Sequence, residues 1–229
     1  MRIESPLLVI ISIIFIFLFI FNFQSYAQTP KEQFVFLKED LEQETKLLKA
    51  EFCSNKHIPI DFESACVLAL SYYPELKGEK IHFIYGKGAY SMAARPAPLS
   101  LFGRRKNREY RVFINTASRN KGLLLSELSF NAQVGVIGHE LAHILDYTKK
   151  SSLRIILDGI GYASKKFRAR FEKATDKEAI DRGLGWQVYD FCHKTHKAEK
   201  VPEIYKQYKL RIYMTPESIR EYIQNQVQN

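Results

Sequence analysis

Cysteine is scarce, three residues in 229, which is too few for a fold held together by disulfides. No Cys-x-x-Cys pair occurs, so a zinc site built from cysteines has no support. Any bias toward glycine and proline is missing as well. Eleven Gly and eight Pro are ordinary for this length. With aromatics plentiful, they exclude collagen-like, low-complexity and disordered chains. There is no internal repeat, and no linker long enough to demand two domains. Acid is in short supply: 25 Asp and Glu against 34 Lys and Arg leave a formal net charge of +9. That excess leaves nucleic acid, an anionic membrane surface and an acidic substrate open as partners, and selects none of them.

Charge is also absent from the start of the chain. Between Glu4 and Lys31 no charged residue occurs, and residues 7–23 are almost wholly Leu, Ile, Val and Phe, broken by Ser12 and Asn22. With Arg2 ahead and Ser25-Tyr26-Ala27 before Gln28, residues 1–27 read as a signal peptide. The same run reaches the short end of a retained membrane anchor. On either reading residues 28–229 are expected to form one exported domain, periplasmic or secreted, with no nucleic acid to meet. Outside the cytosol Cys53 and Cys66 could bridge, leaving Cys192 a free thiol. Three buried small hydrophobes is the equally weighted alternative.

The apolar spacing of Phe34, Leu37, Leu41, Leu48 and Phe52 predicts an amphipathic helix over 30–56. A second helix is expected from Asp61 as N-cap to Tyr73, stopped by Pro74. Residues 81–85 read as a strand, 86–88 as a turn and 89–95 as its return strand, with a further strand over 110–115. From there the pattern is helical: 131–149, 153–162, then 165 past 179, loosened by Gly183 and Gly185. Thr215-Pro216 opens a last helix to about 226. The expected class is α+β, a small mostly antiparallel sheet packed on helices.

The chemistry sits in Gly138-His139-Glu140-Leu141-Ala142-His143. Positions i and i+4 share a helix face, so His139 and His143 can aim ring nitrogens at one zinc ion, with Glu140 beside them as general base. The flanks are apolar, as suits a helix buried beneath a cleft. A third ligand six residues on would be Lys149, which cannot serve, and Asp146 lies a further turn away. Glu172 and Asp176 are again i and i+4. Glu172 is the expected third ligand, with Asp176 accepting a hydrogen bond from a liganding histidine. Glu178 and Asp181 are the fallback carboxylates. Two acids on a basic helix, without the histidine motif, would read as a solvated face.

His-Glu-x-x-His followed about thirty residues later by a helical Glu-x-x-x-Asp resembles the gluzincin zinc metallopeptidases, over about residues 110–185. Phe171 departs from the thermolysin subgroup, which has Asn before this Glu. The resemblance implies a zincin-like fold and zinc-dependent hydrolysis of a protein or peptide substrate. It matches His139, His143 and Glu172 to the ligands, Glu140 to the base and Asp176 to the outer partner. Tyr162, Arg182, Tyr189, His193 and His196 are the candidate oxyanion donors, and residues 111–115 a strand on which substrate could lie. The alternative is a membrane-anchored, non-hydrolytic zinc-binding sensor or interaction domain, closed by a fourth protein ligand. Basic runs at 104–108, 165–170 and 193–200 read as solvated faces, or as contacts for anionic lipid.

Overall fold

The computed structural model describes residues 35–36, 42–88, 90–117 and 122–227. The chain divides into two units, Met1–Lys31 and Glu32–Asn229, and every described residue belongs to the second. The expected signal or anchor segment lies outside the described residues, as do 30–34 and 37–41 of the first expected helix.

In chain order the elements are α1 (Glu42–Phe52), β1 (Lys56–His57), α2 (Glu63–Ser71), β2 (Lys80–Gly86), β3 (Met92–Pro96) and β4 (Glu109–Asn115). Then follow α3 (Phe130–Thr148), α4 (Ser152–Gly161), α5 (Lys165–Ala179), α6 (Gly185–Lys197), α7 (Glu203–Ile212) and α8 (Pro216–Val227). The class is α+β, with one four-stranded sheet in the order β1-β2-β4-β3.

The sheet corrects the expectation of a mostly antiparallel arrangement. β1 pairs with β2, and β2 with β4, in parallel; β3 alone runs antiparallel, against β4. The expected β2–β3 hairpin is therefore not formed, because β4 lies between the two strands. Asn115 shows why the turn at 86–88 does not close one. Its side chain accepts from Gly88 N–H and donates to Gly88 O, both at 3.0 Å. Thr116 N–H reaches Gly86 O at 2.9 Å. The turn is clamped to the end of β4 instead. The parallel register sets Ile81 against Tyr110 and Phe83 against Val112, and all four side chains are buried.

Asp61 is not the cap of α2. A short 3-10 turn (Ile60–Phe62) precedes the helix, and the Asp61 carboxylate accepts from the Tyr85 hydroxyl at 2.7 Å. The other ends behave locally. Thr215 Oγ1 accepts from Ser218 N–H at 3.2 Å ahead of α8, and Pro216 takes its first position.

The fold turns on α3. Ser129 caps it, its hydroxyl accepting from Ala132 N–H at 3.3 Å. Every residue from 134 to 145 is buried, because α2, β3, α5 and α6 pack around the helix. A helix segment enclosed on all sides has to be apolar all round, and residues 134–145 are, apart from the His-Glu-x-x-His residues. Two glycines let α6 and the turn before it come close. A Cβ at Gly135 would stand 2.1 Å from Gln187 O, and one at Gly138 2.5 Å from Leu184 Cδ1. α5 leads into α6 through a π turn (Ile180–Leu184), where Gly183 adopts φ 94°. Only glycine takes that left-handed geometry cheaply.

All three cysteines carry free thiols, and Cys66 is fully buried in the core, where burial pushes its thiol up. Among the described residues no helix is long and apolar enough to cross a membrane.

Candidate metal centre

α5 is a helix with almost no apolar face. Its outer residues include Lys165, Lys166, Arg170 and Lys173; its buried ones are Glu172, Thr175, Asp176 and Ala179. Two buried carboxylates are costly unless paired. They are paired with α3. Glu172 Oε2 lies 3.0 Å from His139 Nε2 and 3.3 Å from His143 Nε2. One ligand atom from each of these three residues falls within 4.8 Å of the others, a group that could hold a metal ion.

The far nitrogens of both rings are committed. His139 Nδ1 is 2.8 Å from Asp176 Oδ1, whose other oxygen accepts from Met214 N–H at 2.9 Å. The Thr175 hydroxyl donates to Phe171 O at 3.0 Å, which leaves its oxygen to accept from His143 Nδ1 at 3.3 Å. In the metal-free chain both Nε2 atoms lie within donating reach of the Glu172 carboxylate. With an ion on Nε2 instead, each ring would keep its proton on Nδ1, donated to Asp176 Oδ1 or to the Thr175 hydroxyl oxygen. That is the tautomer a metal-ligating histidine needs.

Aromatic packing holds the rings in place. His143 lies near-parallel to Phe171, with centroids 5.3 Å apart, and to Tyr147 at 6.3 Å. Tyr162, at the end of α4, donates its hydroxyl to Glu172 Oε1. Arg168 braces that tyrosine, reaching its carbonyl at 3.0 Å and the Tyr208 hydroxyl at 3.0 Å.

Electrostatics match this geometry. Burial works against a charged His139, but its hydrogen bonds to Asp176 and Glu172 outweigh burial and raise it to about 10. Burial likewise opposes ionised Glu172, and His143 with His139 overcome it, holding the carboxyl well below the usual carboxylate range. The buried Glu172 and Asp176 carboxylates thus favour positive charge beside them, which a bound cation would supply. The donor set, two imidazoles and one carboxylate, is of the kind that binds zinc and related transition metals.

Glu140 supplies a second fit to a metal-centred chemistry. The residue is 6% exposed, and its Oε2 has no hydrogen-bond partner. Buried carboxylate oxygens are rarely left so. Glu140 lines a cleft with His139, Tyr90, Met92, Lys209 and Tyr213.

Asp146 and the two fallback carboxylates are engaged elsewhere. Asp146 pairs with Lys150, Glu178 with Arg182 at 2.9 Å, and Asp181 accepts from the Gln226 amide. Of the candidate donors, Tyr162 is spent on Glu172. Arg182 is locked to Glu75 at 2.7 Å, to Glu178, and to Tyr72 O at 2.9 Å. Tyr189 and His193 stack on each other, with centroids 5.6 Å apart, and neither lines the cleft. His196 lines an adjoining cavity with Cys192, Lys209 and Met214. Strand β4 cannot accept substrate, because β2 and β3 occupy both its edges. Of the sheet's two edge strands, β1 and β3, it is β3 that borders the cleft, through Met92.

Two cleft residues carry no sequence signal of their own. Tyr213 sits with its ring centroid 5.7 Å from that of His139, and Lys209 Nζ lies 3.5 Å from the centre of the Tyr213 ring. Both arrive from the end of α7 through packing distant in sequence. Comparison with protein-family models, with curated proteins and with solved structures finds no match to the chain.

Proposed function

We propose that the chain is a zinc-dependent peptide hydrolase of gluzincin type, with a zincin-like arrangement of the β3 edge, α3 and α5. One observation carries the reading. Two histidines whose Nδ1 atoms are engaged by Asp176 and Thr175 meet a buried carboxylate, beside a second carboxylate whose Oε2 has no partner.

His139, His143 and Glu172 would hold the ion. When bound, zinc supplies Lewis acidity, which activates water near neutral pH and polarises a carbonyl. Asp176 and Thr175 keep both ring protons on Nδ1. Glu140 takes the proton of the attacking water on its free oxygen and delivers it to the leaving amine nitrogen. Tyr213, bordering the cleft beside His139, donates its hydroxyl to the oxygen of the scissile carbonyl as negative charge gathers there. The peptide backbone lies along the open edge of β3 as an added strand, which places the scissile bond over α3. Protein or peptide is the substrate class, and residues 1–27 direct the domain out of the cytosol.

A non-hydrolytic zinc sensor would need a fourth protein ligand and would leave Glu140 without a task. Among the described residues the metal-competent group has three members, which favours hydrolysis.

The test is cleavage of a quenched-fluorophore peptide library by zinc-loaded protein. Glu140→Gln should lower turnover about 10²–10⁴-fold while zinc stays bound. Turnover unchanged by that substitution, with zinc retained, would refute the mechanism.

A further inference from the structure

α4 is built with its apolar side outward. Leu153, Ile156, Leu157 and Ile160 stand at i, i+3, i+4 and i+7 and form one stripe. They are exposed at 67%, 43%, 51% and 68%. The inward face carries Ile155 and the carboxylate of Asp158, 6% exposed and paired with Lys150 at 2.7 Å and Arg154 at 3.1 Å. A continuous apolar stripe turned to solvent marks a contact surface.

A second exposed apolar pair is tethered to the start of this helix. Leu99 and Phe102, 86% and 85% exposed, belong to a 3-10 turn (Pro98–Phe102). The loop that follows is fixed to the turn opening α4. Arg108 donates to Tyr147 O at 2.9 Å, to Lys150 O at 3.0 Å and to Ser152 Oγ at 3.1 Å; Arg105 donates to Thr148 O.

Charge identifies the occupant. Asp158 is the only acid between Asp146 and Glu172, and it is buried and paired. Exposed Lys149 precedes the helix, and exposed Lys165 and Lys166 follow it; the tethered loop adds exposed Arg104 and Lys106. An apolar stripe flanked in sequence by exposed cations, its own one acid buried and paired, is complementary to a bilayer of anionic lipid. At ten residues α4 is too short to cross one, so the stripe suits a helix lying in the interfacial plane.

We propose that α4 and the tethered 98–106 loop dock the domain on an anionic membrane surface. Leu153, Ile156, Leu157 and Ile160 enter the headgroup boundary, and the flanking lysines and arginines contact acidic headgroups. Because α4 ends at Tyr162, which grips Glu172, docking sets the metal centre close above the lipid. The proposal is independent of what the metal centre does.

The test uses the full chain carrying Ile156→Trp, or Leu157→Trp in parallel, with the wild type and its single Trp186 as reference. Emission is followed on adding vesicles whose acyl chains are brominated near the headgroup, with or without one phosphatidylserine in about three lipids. The signal comes from α4 itself, so insertion of residues 7–23 does not imitate it. A blue shift and strong quenching on anionic vesicles, much weaker on neutral ones and absent from the wild type, is expected. Lys165→Gln with Lys166→Gln should raise the lipid needed for half-quenching roughly 25-fold, about fivefold per lysine. Unchanged emission with both tryptophan variants overturns the proposal. So does equal quenching on neutral and anionic vesicles. Emission already blue-shifted without lipid also overturns it, since another segment or a second copy then covers the stripe.

Discussion

Asp176 offers the sharpest perturbation, because its two oxygens serve two different buried donors. Oδ1 accepts from His139 Nδ1 at 2.8 Å and Oδ2 from Met214 N–H at 2.9 Å. The residue is 4% exposed, so water does not stand in for either bond. Asp176→Asn keeps the size but has only one acceptor oxygen. If the new amide group faces Met214, a buried N–H is left unsatisfied, costing about 1–3 kcal/mol of stability. If it faces His139, the ring loses the bond that fixes its tautomer. Loss of such an outer partner weakens metal binding by roughly 10–100-fold, or about 1.4–2.7 kcal/mol. The assay is competition for zinc against a chromophoric chelator at fixed pH, alongside chemical denaturation of the metal-free protein. Asp176→Asn and Asp176→Ala should both lose affinity in that range. Thr175→Val, which removes one neutral acceptor 3.3 Å from His143, should lose less than about tenfold. Zinc bound as tightly by folded Asp176→Asn as by the wild type would refute the reasoning.

Other expectations follow from the same geometry. Gly135→Ala drives a Cβ to 2.1 Å from the Gln187 carbonyl and should cost about 3 kcal/mol, roughly 6–12 °C in Tm by calorimetry. Gly138→Ala meets the rotatable Leu184 side chain and should cost clearly less. Tyr73→Phe removes a buried 2.6 Å hydrogen bond to Gly138 O and should lower stability by about 1 kcal/mol without changing metal stoichiometry. In the metal-free chain, His139 should titrate near 10 rather than 6.5, read from its ring resonances by NMR. Its folded value is raised, so its stabilising effect is complete below about pH 6.5 and is lost as pH rises through about 10. Metal binding displaces that proton, so zinc uptake near neutral pH should release acid.

Much of this centre was legible in the sequence because its pairs are local. His139 with His143, and Glu172 with Asp176, each lie one helical turn apart, and periodicity alone puts each pair on one face. The cap at Thr215 and the loosening at Gly183 are likewise decisions of a few neighbouring residues. What failed were choices settled at a distance. Gly86 to Gly88 reads as a hairpin turn, yet Asn115, from a strand more than twenty residues later, claims it and inserts β4 between β2 and β3. Asp61 has the chemistry of a cap, but Tyr85 competes for its carboxylate. Arg182 looks like a catalytic cation until Glu75 and Glu178 are seen to hold it. Tyr213 and Lys209 have no spacing relation to the histidines, so nothing short of the packed structure could bring them to the cleft. The outward apolar face of α4 has the same origin, since its 3.6-residue period is plain but which side faces the core is decided by Asp158, Lys150 and Arg154.

The central claim is a metal held by His139, His143 and Glu172, with Glu140 left free to act. Elemental analysis of zinc-loaded, buffer-exchanged protein tests it most directly, on the wild type, Glu172→Ala and Glu140→Gln. About one zinc per chain is expected in the wild type and in Glu140→Gln, with little or none in Glu172→Ala. A wild type that takes up no zinc, or a Glu172→Ala variant that keeps it, would contradict the assignment.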